Sequence, residues 1–262
     1  MGEAKQKQGT AERFLKKHPF CALCGGIKPA TSREHCPPRA MFISSHRPDG
    51  FVVPSCDSCQ NASRDSDSVA ATVSRWGFDD QDDLLQDHRK LVRGIANNRP
   101  EIHEEWTKLS LIQRKRARKH LESRGVFGNG NNIVAIDKNS IAELNRFAKK
   151  FIVAAHYSIL GKPIPLQGAI WCQWRTKEHV ISSGFPESLL RLTGPVHSLK
   201  LGNWDTAEQF QYRFAPNLPE GEFGIIARFQ VNLFIWGFAV WNADNISASD
   251  KIGWAPLSDI FK

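Results

Sequence analysis

The sequence predicts an α+β protein in three parts: an N-terminal module bounded by cysteines, a group of central helices and a C-terminal domain built on an antiparallel sheet. Two Cys-x-x-Cys pairs enclose the first part, and helix-type apolar spacing then dominates as far as about residue 160. Short β-prone runs separated by turns follow Pro165. Because 41% of the 262 residues are hydrophobic, the chain can build a packed interior, which excludes global disorder.

Changes in composition divide the chain further. We expect residues 1–17 to form a polar, lysine-rich tail leading into a short helix, residues 18–76 the cysteine-bounded module, residues 77–124 a helical connector and residues 125–262 the C-terminal α+β domain. The last boundary falls in a glycine- and asparagine-rich stretch, GVFGNGNN, which starts at Gly125. Such a stretch suits a turn between two folded parts.

The charge of the chain indicates a polyanionic partner. Its formal net charge is +8 and its pI is about 9.3, as in many proteins that bind nucleic acid. The N-terminus is charged and lacks the apolar segment of a signal peptide. Because no run approaches the ~18 apolar residues that a bilayer span needs, we expect no membrane contact. These features predict a cytoplasmic protein, in which paired cysteines bind metal rather than form disulfides.

The two Cys-x-x-Cys pairs are Cys21/Cys24 and Cys56/Cys59. A tetrahedral zinc ion takes four soft or borderline ligands, and two such pairs supply four thiolates with tight local geometry. Cys36 and Cys172 are left over, so scarcity does not force this pairing. The alternative, four ordinary buried cysteines, does not explain the repeated spacing. We therefore predict a structural zinc site.

A Glu34-His35 dipeptide lies between the cysteine pairs, in a stretch that reads as extended until Pro37 stops it. Neighbouring residues of an extended segment point to opposite faces, so Glu34 could hold a metal while His35 faces a water molecule. Histidine is the usual general base at neutral pH. A short strand at residues 51–53 and a helix over about 57–76 follow the connecting loop.

This constellation resembles the zinc-stabilised HNH endonucleases of the ββα-metal class, whose pattern is C-x-x-C … [D/E]-H-x-P-P … P-x-C-x-x-C-[N/H/Q]. The matching residues are Cys21, Cys24, Glu34, His35, Pro37, Pro38, Pro54, Cys56, Cys59 and Gln60. The resemblance covers roughly residues 18–76, under a quarter of the chain. It is specific as a constellation, although no single piece of it is.

The resemblance implies a function and a set of roles. The function is metal-dependent hydrolysis of phosphodiester bonds in DNA, with RNA as the second substrate class. By that likeness, His35 is the general base, and Glu34 and Gln60 hold a catalytic Mg²⁺ or Mn²⁺ beside the structural Zn²⁺. Roles in phage defence, in a mobile element or as a toxin are all compatible with such an activity.

Gln60 is the uncommon residue at its position in the pattern, because the residue after the second cysteine pair is usually Asn or His. Asn61 could take its place if the start of the helix shifts, and Asp65 or Asp67 could assist. A glutamine carbonyl is a neutral ligand on a longer side chain, which weakens metal binding. The alternative function is therefore a catalytically weak or inactive, zinc-stabilised nucleic-acid-binding protein.

Two helices are predicted in the connector. Four aspartates suit the N-terminus of the first, where the helix dipole favours carboxylates; they are Asp79, Asp80, Asp82 and Asp83. The second is predicted as one helix over residues 101–124, opened by Pro100 and closed by Gly125. It carries five cations in six residues, namely Arg114, Lys115, Arg116, Arg118 and Lys119. This run could track a phosphate backbone; a solvated face and a nuclear import signal are the alternatives.

A capping box at Ser140 and Glu143 predicts the start of a further helix, which runs to about Leu160. Its apolar residues at helical spacing predict an inner face of Ile141, Leu144, Ala148, Phe151 and Ala155. Lys149 and Lys150 are expected on other sides of the helix. We interpret the helix as a core element against which the following strands pack.

Six strands are predicted after this helix. They are Ala169–Trp174, Val180–Ser182, Ser198–Leu201, Phe210–Ala215, Phe223–Val231 and Leu233–Trp241. Six of the eight tryptophans lie in this part, and we interpret them as core residues, with base stacking as the alternative. The domain could position the substrate, or bind a protein partner or a second copy of the chain.

Overall fold

The computed structural model describes residues 2–77, 82–125, 133–201, 204–247 and 249–260. The predicted helix start at Asp79 and Asp80 and the predicted turn at 126–132 lie outside this description. Helix α1 (Gly2–Lys17) occupies the whole stretch that was expected to be a polar tail. Alanine, lysine, glutamine and glutamate make up most of this stretch, and their high helix propensity explains the difference.

Two short strands and a helix form the cysteine-bounded module. The elements are β1 (Ser32–His35), β2 (Val52–Ser55) and α2 (Asp57–Ser74). The strands are antiparallel, with Glu34 opposite Val53 and His35 opposite Val52. The predicted order of extended segment, loop, strand and helix is therefore present.

Three helices follow where two were predicted. They are α3 (Asp82–Asn98), α4 (Pro100–Thr107) and α5 (Leu111–Glu122). The prediction of a single helix over 101–124 is wrong, because Ser110 caps a new one. The Ser110 hydroxyl accepts from the Gln113 backbone N–H, and the Gln113 side chain accepts from the Ser110 N–H.

Helix α6 (Lys138–Leu160) runs through the interior. Its N-cap is Asp137, whose carboxylate accepts from the first backbone N–H of the helix. The predicted capping box is wrong, because Ser140 is buried and its hydroxyl bonds to Glu105 and Trp106 of α4 instead. Packing between helices has therefore overridden a local cap signal.

The buried side of α6 is wider than its apolar spacing predicts. Four residues are buried as expected: Leu144, Ala148, Phe151 and Ala155. Ile141 is instead 39% exposed, and Lys150, which was expected on another side, is completely buried. Every residue from 150 to 157 is buried, because α6 packs against α2 on one side and against the sheet on the other.

A five-stranded antiparallel sheet dominates the C-terminal half, as predicted. In chain order the elements are β3 (Ala169–Thr176), α7 (Lys177–Ser183), α8 (Glu187–Leu192), β4 (Lys200–Leu201), β5 (Trp204–Asp205), β6 (Phe210–Phe214), β7 (Glu222–Phe229), β8 (Leu233–Val240) and β9 (Ala255–Pro256). The strand order is β6-β7-β8-β3-β9, and β4 pairs with β5. The prediction of a strand at Val180–Ser182 is wrong, because these residues belong to α7. The helix begins at Lys177, whose backbone N–H donates to Asn232.

One continuous apolar core joins the cysteine-bounded module to the sheet. Phe51, which precedes β2, stacks on Phe151 of α6 and meets Tyr212 of β6 edge to face. The module therefore shares its interior with the C-terminal half. Among the described helices, none is long and apolar enough to cross a membrane.

Candidate metal centre and adjoining acidic cluster

Two turns bring the four paired cysteines together. The Sγ atoms of Cys21, Cys24, Cys56 and Cys59 all lie within 4.8 Å of one another. A tetrahedral zinc ion with Zn–S bonds of about 2.3 Å separates its sulfurs by about 3.8 Å, so a small contraction closes the cluster around such an ion. The four residues can therefore hold a metal such as zinc.

Backbone contacts fix these two turns in place. The Ala22 N–H donates to the Pro54 carbonyl at 2.9 Å, which ties the first turn to β2, just ahead of the second pair. Gly25 has a φ of 66°, and a Cβ at this position would lie 2.7 Å from the Leu257 side chain. Only glycine combines that backbone conformation with such a close approach. Cys56 is the N-cap of α2, so the second pair spans the first turn of that helix.

The pKa values of the thiols reflect their mutual approach. A hydrogen bond from the Cys59 thiol lowers the pKa of Cys21 to about 5, and the same contact, together with burial, raises the pKa of Cys59. Burial also raises the pKa of Cys24. A cation among the four sulfurs would stabilise every thiolate and offset the cost of burying it. The close spacing of the four thiols therefore suits a cation.

Glu34, the acidic residue of the predicted catalytic pair, has two protein partners. Its carboxylate Oε1 accepts from Lys150 Nζ at 2.6 Å, and its Oε2 accepts from Gln60 Nε2 at 3.0 Å. The Gln60 Oε1 atom in turn accepts from the Ser32 hydroxyl at 3.2 Å. The structure therefore brings Glu34 and Gln60 together where β1 meets the start of α2.

Glu34, Gln60 and Asp67 form a group that we call the acidic cluster. Lys150 belongs to the same group, although the sequence did not predict it as a site residue. Its ammonium also donates to Asp67 Oδ2 at 2.7 Å. Burial opposes the charged form, but the carboxylates of Asp67 and Glu34 outweigh it and raise the pKa of Lys150, so this side chain is a cation. Burial raises the pKa of Asp67 to about 7 in spite of the ammonium. One cation thus serves two carboxyl groups.

The predicted catalytic ion does not fit these residues as they are arranged. Mg²⁺ takes about six oxygen ligands, but both Glu34 oxygens, the Gln60 carbonyl oxygen and Asp67 Oδ2 already accept hydrogen bonds. The remaining oxygen, Asp67 Oδ1, is buried and has no partner among the described residues. The Lys150 ammonium lies between the two carboxylates, where the ion would have to bind.

His35, the predicted general base, lies at the end of β1 and is half-buried. Burial, followed by the positive charges of Arg47, Arg39 and Arg33, lowers its pKa to about 4, so the ring is neutral at pH 7. The Arg47 Nη1 atom lies 3.2 Å from His35 Nδ1. Because a guanidinium can only donate, the one lone pair of the neutral ring faces Arg47 in this arrangement.

Arginines give this side of the module a positive field. Arg47 donates to three further backbone carbonyls at 2.6–2.8 Å and so braces the loop between β1 and β2. Arg39 is exposed, and the Arg33 guanidinium lies 5.4 Å from the centre of the Phe14 ring of α1. Such a field favours an anionic group near His35.

The other predicted site residues lie outside this cluster. Asn61 is exposed on α2, and Asp65 pairs with Arg99 at 3.0 Å. Every residue of α5 is at least partly exposed, and Arg114 is the half-buried member of its basic run. The exposed members are Lys115, Arg116, Arg118 and Lys119. The surface of α5 is thus open to a polyanion.

Comparison with known proteins gives no relative of this chain. No protein-family model matches it, and neither does any curated protein or solved structure. The resemblance to the HNH endonucleases therefore stays a prediction that depends on the residues of the module. Function has to be argued from the site.

Proposed function

We propose that the chain is a zinc-stabilised endonuclease that hydrolyses phosphodiester bonds of DNA. The observation that supports this most is the hydrogen bond between Gln60, which follows Cys59 of the thiol cluster, and Glu34, which precedes His35 on β1, although Glu34 and Gln60 are 26 residues apart in the sequence. The same acid, histidine and amide recur in the HNH endonucleases. Zinc at the cluster would be structural, because four thiolates leave no open position for substrate.

Hydrolysis of a phosphodiester needs a deprotonated water in line with the leaving oxygen, and positive charge to stabilise the phosphate. His35 is neutral, so it can take a proton once water replaces Arg47 at its Nδ1. In the resting arrangement the Arg47 Nη1 atom occupies this place, 3.2 Å from Nδ1. The guanidinium of Arg47 or Arg39 would then face the phosphate, where a charge-assisted hydrogen bond is strong.

The distribution of charge supports a nucleic-acid partner. The net charge is +8, and exposed cations include Arg39 near His35 and four residues of α5. These two surfaces would bind the phosphate backbone, which DNA and RNA share. Thiolate ligands need a reducing compartment, so we place the protein in the cytoplasm.

A second function, nucleic-acid binding with weak or no turnover, is favoured by two contacts. Lys150 holds Glu34 at 2.6 Å, and Arg47 faces the lone pair of His35 at 3.2 Å. Both members of the predicted catalytic pair therefore have internal partners. In such a protein the cations would bind DNA, but no cleavage would follow. The resemblance implies a catalytic Mg²⁺ or Mn²⁺, so cleavage is tested with and without these ions.

Cleavage of supercoiled plasmid tests the proposal. The purified full-length protein and His35→Ala are incubated with Mg²⁺, with Mn²⁺ and in metal-depleted buffer, and zinc is quantified on the same samples. Loss of a general base costs about 10²- to 10⁴-fold in rate. We therefore expect the wild type to nick the plasmid and His35→Ala to lose that activity with its zinc content unchanged.

His46→Ala is the matched control, because His46 is an exposed histidine of the loop that follows β1 and should keep full activity. Nicking by His35→Ala at the wild-type rate would refute the assignment of the base. Salt-dependent plasmid binding without nicking by the wild type would establish the second function instead. Absence of both binding and nicking would refute the proposal that double-stranded DNA is the substrate.

A further inference from the structure

We propose that Lys150 is the resident cation of the acidic cluster formed by Glu34, Asp67 and Gln60, and that this cluster is closed to Mg²⁺ and Mn²⁺. The Lys150 ammonium lies 2.6 Å from Glu34 Oε1 and 2.7 Å from Asp67 Oδ2. The lysine side chain is 0% exposed. A cation that is covalently attached and completely buried thus takes the position that a divalent ion needs.

Charge and ligand supply both oppose a second cation at this position. An ion between the two carboxylates would lie within a few ångströms of the ammonium, and the two positive charges would repel each other. Mg²⁺ also keeps several of its waters in protein sites. Glu34 is only 7% exposed, which leaves those waters little room.

Because the cation is part of the chain, the arrangement of the acidic cluster depends on folding. Lys150 reaches Glu34 from 116 residues away along the chain, so folding of α6 onto the module brings the charge with it. The position of Glu34 beside His35 is then set by folding rather than by the concentration of a metal. The cluster therefore lacks the dependence on a divalent ion that the resemblance implies.

The inference concerns the same site as the proposed endonuclease. Its cleavage experiment rests on the proposed function, whereas its Mn²⁺-binding experiment does not. If the chain cleaves DNA, cleavage should proceed in metal-depleted buffer as long as zinc stays bound. Cleavage that needs added Mg²⁺, at a concentration that rises in Glu34→Gln, would overturn the inference. If the chain cleaves nothing, the endonuclease proposal fails, while metal binding still decides the question of Lys150.

Binding of Mn²⁺ is measured by electron paramagnetic resonance on the zinc-loaded, full-length protein. The variants are Lys150→Ala and, as a matched control, Lys149→Ala, which removes the same charge from the half-buried neighbouring position. We expect the wild type and Lys149→Ala to leave the signal of free Mn²⁺ unchanged. Lys150→Ala should bind one Mn²⁺ per chain, because it frees both carboxylates.

Glu34→Gln keeps the inference testable even if Lys150→Ala fails to fold. Binding of Mn²⁺ by the wild type that disappears in Glu34→Gln would show an ordinary divalent-cation site and overturn the inference. A Lys150→Ala protein that keeps its zinc and its circular dichroism but binds no Mn²⁺ would also overturn it. The ammonium would then not occupy a position suited to a metal cation.

Discussion

The module holds two positions for a cation, and they are built in opposite ways. At the first, four sulfurs lie within 4.8 Å of one another and converge on a position that only an added ion can fill. At the second, Glu34 and Asp67 converge on the ammonium of Lys150, at 2.6 and 2.7 Å. With zinc at the first position, the fold would depend on a metal supply, whereas the second position takes its cation from the chain itself.

The largest effect in this comparison is expected from loss of a thiolate. Cys21→Ser or Cys56→Ser removes one of four ligands, and the binding free energy of a structural zinc, about 10–16 kcal/mol in small zinc modules, is largely folding free energy. We expect either variant to lose zinc and to unfold the module. Zinc content and far-ultraviolet circular dichroism measure both changes.

Cys172→Ser is the matched control, because Cys172 is a half-buried cysteine of β3 that lies outside the cluster. It should retain zinc and the native spectrum. A Cys21→Ser protein that keeps its zinc and its fold would show that the four thiols are not the structural metal site. The two cation positions would then no longer differ in their dependence on metal.

The first cation position could be predicted from the sequence because its signal is local. A Cys-x-x-Cys pair places two ligands in one turn, so two such pairs specify a complete zinc shell. The meeting of Glu34 with Gln60 followed from the same short pattern. The order of strands and helix in the module and the C-terminal antiparallel sheet also follow from local periodicity.

The second position could not be predicted, because its cation comes from 116 residues away and spacing over that distance carries no information on contact. A partial clue was present in α6, where Lys150 lies in the run FAKKFIVAA. A helix of that kind is apolar on most sides, so one of two adjacent lysines can face the interior, where it needs a carboxylate. Partners distant in sequence also explain two wrong predictions. Ser140 bonds to Glu105 instead of capping α6, and Lys177 bonds to Asn232 where α7 replaces the predicted strand.

The next largest effect is expected at Lys150 itself. Lys150→Met leaves Glu34 and Asp67 buried without a cation, and removal of one partner from a buried ion pair costs about 3–5 kcal/mol. We expect the free energy of unfolding to fall by that amount in denaturant titrations of the zinc-loaded protein. Zinc content should stay at one ion per folded chain, because the thiolate cluster is unchanged.

Two further variants show whether the lost charge is responsible. Lys149→Met changes the neighbouring, half-buried position and should alter the free energy of unfolding by less than about 0.5 kcal/mol. The triple variant Lys150→Met, Glu34→Gln, Asp67→Asn should recover part of the loss, because no unpaired charge remains buried. A Lys150→Met protein as stable as the wild type would mean that the acidic cluster does not need its tethered cation.

The smallest effect is expected at Gln60, which joins Glu34 to Ser32 through hydrogen bonds of 3.0 and 3.2 Å. Each such bond contributes about 0.5–1.5 kcal/mol net, so Gln60→Ala should lower the free energy of unfolding by about 1–3 kcal/mol. Asn61→Ala, at the exposed neighbouring position, should leave it unchanged. A loss in Gln60→Ala as large as that in Lys150→Met would mean that the amide contributes as much as the ammonium to holding Glu34 in place. The second position would then depend on a neutral hydrogen-bond donor as much as on its tethered cation, which would weaken the contrast between the two positions.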